Sequence, residues 1–125
     1  MTDSQTCATA FFALEFQIPL GAAKTLLALY RARRPLSASE ISDRTGMQES
    51  STKVFFCQLR EALGDEYIAP RKAKCRASPG KRVYHELTDD GRYEIDRLLR
   101  SAVLGLAKDL GMTVDNRGIT TRLVA

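Results

Sequence analysis

Residues 66–87 read EYIAPRKAKCRASPGKRVYHEL, two short β-prone runs around a basic, turn-rich segment. The runs are Tyr67–Ala69 and Arg82–Leu87, and Ser78–Gly80 between them favours a chain reversal, because proline fixes φ and glycine tolerates a reversed conformation. The pattern predicts a β-hairpin. No acidic residue interrupts residues 71–84, so the hairpin is strongly basic. Its six cations are Arg71, Lys72, Lys74, Arg76, Lys81 and Arg82.

Residues 37–63, SASEISDRTGMQESSTKVFFCQLREAL, precede the hairpin and predict two helices joined by a tight turn. Ser37 and Glu40 have the spacing of a capping box, and Gly46 is suited to end a short helix because it tolerates positive φ. The second helix is predicted over residues 48–63. A short helix, a glycine-centred turn and a longer helix form a helix–turn–helix.

The longer helix carries the residues that are candidates for contact with DNA bases. Its predicted core face consists of Phe55, Leu59 and Ala62. Phe56 falls off that face, so either the helix is buried on more than one side or Phe56 packs under the hairpin. The polar residues predicted to contact DNA are Gln48, Glu49, Ser50, Ser51 and Lys53. Gln48 can pair with adenine and Lys53 with guanine or a phosphate. The alternative is that these residues only cap and solvate the helix.

Helical periodicity continues on both sides of this unit. Predicted helices cover residues 19–33, about 6–17 and 89–110, and residues 111–125 are expected to form a tail without regular structure. The fold class expected is therefore mainly α with a small β-hairpin. It is a single winged helix-turn-helix domain over 1–125, with a core at 19–88 and flanking N- and C-terminal dimerisation helices.

The composition is that of one folded domain. Six of the 19 Lys and Arg residues lie in the hairpin, and the formal net charge of +4 favours a polyanionic partner. No long apolar run predicts a membrane span, so a cytoplasmic protein, associated with the nucleoid through DNA, is expected. Cys7, Cys57 and Cys75 have no metal-binding or disulfide spacing, and His85 is the lone histidine. We therefore expect no metal, no cofactor and no enzyme activity.

The stretch 20–99 resembles winged-helix transcriptional regulators of the broad MarR and PadR kind. The resemblance is carried by the helical stripe ending at Tyr30, by residues 37–63, by the basic hairpin and by KRVYHELTDDGR at 81–92. Within that last string the matching residues are Tyr84, Leu87, Thr88, Gly91 and Arg92. The recognition-helix positions of the family fall on Gln48, Glu49, Ser50, Ser51, Lys53 and Val54, and its wing positions on Arg71 to Lys81.

The resemblance implies a homodimer on a pseudo-palindromic DNA site, with helix 48–63 in the major groove and wing 70–82 on the backbone or in the minor groove. The sequence also favours a dimer. Helix 89–110 offers more apolar surface than the core needs, and the N-terminal residues Phe11, Phe12, Leu14 and Phe16 also need a partner. Packing of the first and last helices within a monomer is the alternative.

The expected function is sequence-specific binding of double-stranded DNA, as a transcriptional repressor. Two other functions stay open: a plasmid or phage protein of partition or replication, and a winged-helix module that binds proteins. Control by a small effector or by oxidation of Cys57 or Cys75 is a further alternative.

Overall fold

The computed structural model describes residues 3–74, 81–111, 113–115 and 118–120, with side chains described over 7–71 and 83–111. This part of the chain is mainly helical, with two small antiparallel sheets. The elements are α1 (Asp3–Phe16), α2 (Leu20–Ala32), β1 (Leu36–Ser37), α3 (Ala38–Thr45), α4 (Glu49–Leu63), β2 (Ile68–Lys74), β3 (Lys81–Leu87), α5 (Asp89–Asp109), β4 (Thr113–Asp115) and β5 (Gly118–Thr120). Residues 1–91 and 92–125 form two compact units.

The hairpin strands β2 and β3 belong to a three-stranded antiparallel sheet with the order β1–β3–β2. Their pairing runs from Ile68 opposite Leu87 to Lys74 opposite Lys81, so both strands extend further toward the turn than the predicted runs. Pro70 is accommodated in β2 because β2 lies at the edge of the sheet, where a missing N–H breaks no ladder hydrogen bond.

The strand β1 has no counterpart in the prediction. Leu36 pairs with His85 and Ser37 with Tyr84, which attaches the start of α3 to the central strand of the sheet. Ser37 also caps α3, since its Oγ accepts a hydrogen bond from the Glu40 N–H at 3.2 Å and its own N–H donates to the Glu40 carboxylate at 3.2 Å. The predicted capping box is therefore confirmed.

The turn between α3 and α4 is fixed by short-range hydrogen bonds. Gly46 has φ of 76° and donates its N–H to the Ser42 carbonyl at 2.9 Å, which confirms its predicted role in ending α3. Ser42 Oγ donates to the Met47 carbonyl at 2.5 Å, and the Met47 N–H donates to Thr45 Oγ1 at 3.3 Å. The relative position of α3 and α4 is set by these contacts.

The helix α1 packs on α2 within the same chain. Phe12 is 1% exposed, and its ring meets the ring of Tyr30 edge-on at 6.5 Å between centroids. The expectation that Phe12 needs a second copy of the chain is wrong, because α2 already covers it. Leu14, on the other hand, is 81% exposed.

The buried face of α4 differs from the predicted one. Thr52, Phe56 and Leu59 are buried, whereas Phe55 is half-buried and Ala62 is exposed. Thr52 can occupy the core because its hydroxyl donates to the Gln48 carbonyl at 3.1 Å, which satisfies the polar atom within the helix. The second of the two interpretations of Phe56 is correct, since its ring packs against His85 of the hairpin.

A glycine permits the close approach of α2 and α4. A Cβ atom on Gly21 would lie 2.2 Å from the ring of Phe55, so the ring rests directly on the α2 backbone. This contact explains why Phe55 is half-buried although it does not belong to the main core face of α4.

Hydrogen bonds connect the beginning of α5 to the segment before β2. Thr88 Oγ1 accepts a hydrogen bond from the Gly91 N–H at 3.0 Å, as expected of an N-cap, and donates to the Glu66 carbonyl at 2.6 Å. A Cβ atom on Gly91 would lie 2.6 Å from the Tyr67 carbonyl oxygen. Glycine is therefore required where α5 leaves the hairpin.

The C-terminal residues contain regular structure that the sequence does not predict. In place of the unstructured tail expected from residue 111, β4 and β5 pair as an antiparallel hairpin, with Val114 opposite Ile119. Across the described residues, no single helix is both long enough and apolar enough to cross a membrane.

Candidate nucleic-acid interface

The solvent-exposed face of α4 carries most of the α4 residues that are predicted to contact DNA. Gln48, Glu49, Ser50 and Lys53 are exposed, whereas Ser51 is half-buried. Val54 (55% exposed) and Cys57 continue the same face. Gln48 precedes the first helical residue as the N-cap, and its side chain makes no capping hydrogen bond. Its amide is thus available to another partner.

This face of α4 opens into a groove of about 500 Å³ that we call the α4 groove. Its lining residues come from the start of α3, from α4 and from both hairpin strands; they are Ser37, Ala38, Ser39, Glu49, Lys53, Phe56, Cys57, Arg60, Pro70, Val83 and His85. The structure therefore brings the polar side of α4 together with the base of the hairpin, as the sequence order predicts.

Most described cations near the α4 groove already have an acidic partner. Arg60 donates to the Asp65 carboxylate at 2.9 Å, a hydrogen bond that raises the pKa of Arg60 and lowers that of Asp65. Lys53 has no ion pair with any side chain in the described ranges. Its full charge is therefore available at the groove.

Arg71, predicted as a wing cation, is paired across the hairpin. Its Nε donates to the Glu86 carboxylate at 2.5 Å, and the side chain remains more than half exposed. This ion pair lowers the net positive charge at the base of the hairpin. Arg71 is thereby a weaker candidate for phosphate contact than the sequence alone indicates.

The other predicted wing residues are described only in part. The backbone places Lys74 opposite Lys81 and Arg82 opposite Ala73, and Lys72 lies opposite Val83. Cations thus occupy both strands where the hairpin approaches its turn. The side chains of these residues, and the whole of Arg76 and Cys75, lie outside the described residues.

His85 is a site residue that the sequence analysis does not identify. It is 8% exposed, it lines the α4 groove, and its ring stacks on Phe56 with centroids 4.1 Å apart and planes at 15°. Its buried Nδ1 has no hydrogen-bond partner in the described part of the chain. Burial, together with the charge of Arg60, lowers the pKa of His85, so the ring is neutral at pH 7.

Cys7 and Cys57 are free and exposed. Among the described residues, no group of three His, Cys, Asp or Glu side chains is placed to hold a metal ion.

No protein-family model matches this chain, and no curated protein matches it significantly.

Proposed function

We propose that this chain is a winged-helix protein that binds double-stranded DNA at specific sequences and regulates transcription. The element order α2–β1–α3–α4–β2–β3, with β1 paired to β3, supports this interpretation. In the proposed complex α4 enters the major groove, whose width admits one helix. The hairpin β2–β3 is the wing, and it contacts the neighbouring phosphate backbone or the minor groove.

The observation that carries the proposal is the composition of the α4 groove. Lys53 on α4 and Val83 on the hairpin line the same concave surface, so one duplex can contact both elements. Gln48 and Ser50 are exposed at the leading end of α4, where recognition helices contact base edges. The cations of the hairpin provide the phosphate contacts that give such proteins most of their affinity.

We further propose that the functional form is a homodimer. The second half of α5 exposes a set of large apolar side chains, Val103, Leu104, Leu106 and Leu110. Exposed apolar residues concentrated on one helix are typical of an interaction surface. A second copy that covers this surface creates a two-fold symmetric protein, which fits a pseudo-palindromic site with half-sites about 34 Å apart.

Repression is the simplest regulatory outcome, because a dimer bound to a promoter excludes other proteins from it. DNA binding also sets the location of the protein in the cytoplasm, on the nucleoid. Both statements follow from specific DNA binding.

Selection of bound sites from a pool of random duplexes tests the proposal. The expected result is an inverted repeat with half-site centres about one helical turn apart. Affinity for the selected site is then measured over a range of salt concentrations, and it is expected to fall steeply as counterions compete. A chain that retains no duplex even at low salt contradicts DNA binding and favours a protein-binding module instead.

A further inference from the structure

A second groove, of about 560 Å³, lies among α1, α2 and α3. Three cationic side chains line it, Lys24, Arg31 and Arg44, and we call it the cationic groove. The α4 groove lies against the start of α3 at Ser37–Ser39, whereas the cationic groove lies against its end at Arg44 and Thr45. The two grooves are therefore separated by the length of α3, about 12 Å for eight residues.

The cations of this groove have no acidic partner among the described side chains. The helix α2, which supplies Lys24 and Arg31, contains no acidic residue at all. These two residues are seven positions apart, so they project from one face of α2 about 10 Å from each other along the axis. The described lining residues include no acid either. No described acidic side chain thus balances the positive charge of the groove.

Arg44 has one acidic residue at helical spacing, but that residue is already engaged. Glu40 lies one turn before Arg44, where a carboxylate and a guanidinium can pair. The carboxylate instead accepts hydrogen bonds from Arg34 at 2.8 Å and from the Ser37 N–H at 3.2 Å. Burial raises the pKa of Glu40, but the bonds from Arg34 and Ser37 outweigh it and lower the pKa overall. Glu40 is therefore ionised and bound elsewhere.

Helix dipoles account for only part of this arrangement. Arg31 and Arg44 lie in the last turns of α2 and α3, where the dipole favours cations. Lys24 lies in the interior of α2, where the dipole gives no such preference. A surface that gathers cations from two helices, with no acidic partner for them in the described ranges, is complementary to an anion.

We infer that the cationic groove binds a small organic anion with two or more negative charges on a compact, partly apolar body. The three cations neutralise the charges, and half-buried Leu27 and Ala28 provide apolar contact for the body. The volume lies within the range of about 300–1,000 Å³ that is usual for small-molecule sites. Carboxylates and phosphates share the required chemistry, since both accept charge-assisted hydrogen bonds from arginine and lysine.

Calorimetric titration at constant ionic strength tests the inference with two probes. Citrate represents the polycarboxylates and phenyl phosphate the phosphate esters, while benzyl alcohol serves as an uncharged control. We expect at least one of the two anions to bind the wild-type chain saturably, and benzyl alcohol not to bind. The anion that binds more tightly identifies the preferred head group.

A double variant, Lys24→Gln with Arg44→Gln, is compared with a matched variant, Arg33→Gln with Arg100→Gln, that loses the same charge outside the groove. We expect the first to weaken anion binding by about tenfold or more and the second to leave it within about twofold. Thermal unfolding tests whether both double variants are folded. If the first variant does not fold, the two single substitutions replace it, each with an expected loss of about fivefold.

Two results overturn the inference: neither anion binds the wild-type chain, or binding persists in the groove variant. Affinity for a duplex is measured on the same proteins. A loss of duplex binding in the groove variant alone, without anion binding by the wild type, assigns these cations to the phosphate backbone of DNA instead. Site selection with the wild-type chain tests DNA binding independently, so failure of one proposal is distinguishable from failure of the other.

Discussion

Phe56 of α4 lies face to face with His85 of β3, with ring centroids 4.1 Å apart and an angle of 15° between the planes. This stack joins the helix proposed to read DNA to the central strand of the sheet. A protonated imidazole in the same place would bury an Nδ1–H donor for which no described residue provides an acceptor. The orientation of α4 relative to the hairpin therefore depends on a neutral histidine.

The stability of the protein is expected to fall when His85 titrates. Burial lowers its pKa in the folded chain below the ordinary value of 6.5, so the unfolded chain binds the proton more readily. The free energy of unfolding should thus decrease as the pH falls below about 6.5, and this contribution should level off below the folded-state pKa. Urea unfolding between about pH 5 and about pH 8 measures the effect.

His85→Phe keeps an aromatic ring against Phe56 and removes the titrating group. The difference in stability between the wild type and this variant isolates the contribution of His85 from that of Glu40 and Asp65, whose lowered pKa values act at more acidic pH. Identical pH profiles for the two proteins would mean that the folded chain does not disfavour the histidinium ion.

Alanine substitutions at two glycines of α5 are expected to change the stability of the fold in opposite directions. Gly91→Ala places a Cβ against the Tyr67 carbonyl and should destabilise the fold by about 1–3 kcal/mol. Gly105→Ala, in the same helix, meets nothing within 4 Å and should stabilise it by about 0.5–1 kcal/mol. Thermal unfolding of both variants measures the pair. Equal effects would show that the approach of α5 to residue 67 is not close.

Substitutions on α4 and on the hairpin should affect DNA binding in different ways. Lys53→Ala or Gln48→Ala is expected to change base preference, by about 1–3 kcal/mol at one position of the selected site. Lys72→Ala with Lys74→Ala is expected to weaken binding to all duplexes and to reduce the slope against log salt by about 2. Lys108→Ala on α5, which removes one positive charge, serves as the charge-matched control for Lys53→Ala. Altered sequence preference in the hairpin variant, with none in the α4 variants, reverses the assigned roles.

The apolar surface of α5 predicts how substitutions affect the proposed homodimer. Leu106→Glu with Leu110→Glu should raise the dimer dissociation constant about 100-fold or more, because two leucines and their buried area are replaced by repelling charges. Leu20→Glu, at a leucine that is also more than half exposed, should leave it unchanged. Sedimentation equilibrium distinguishes these outcomes. If the wild-type chain is monomeric at high concentration, the proposed homodimer is contradicted and a palindromic DNA site is no longer expected.

The parts of the fold with strong local signals could be predicted from the sequence. Ser37, Glu40 and Gly46 determine both ends of α3 by hydrogen bonds within ten residues, so their spacing is sufficient. The basic residues and turn signals of residues 66–87 likewise predict the hairpin. The exposed positions of Gln48 and Lys53 follow from the polarity of the first turns of α4.

Features that depend on distant contacts could not be predicted. Thr52 reads as polar, but its hydroxyl is satisfied within α4, which lets the core face include Thr52 and Phe56. The strand β1 has only two residues, too few for an alternating pattern, and exists because β3 pairs with it. The pairing of Arg71 with Glu86 also depends on the strand register.

Ser37 is at once the last residue of β1 and the cap of α3, so no spacer residue separates the sheet from that helix. The strand β1 and the helix α3 are therefore connected directly, with no loop residue between them. Because Tyr84 of β3 pairs with Ser37, a displacement of β3 at this position is transmitted directly to the first turn of α3.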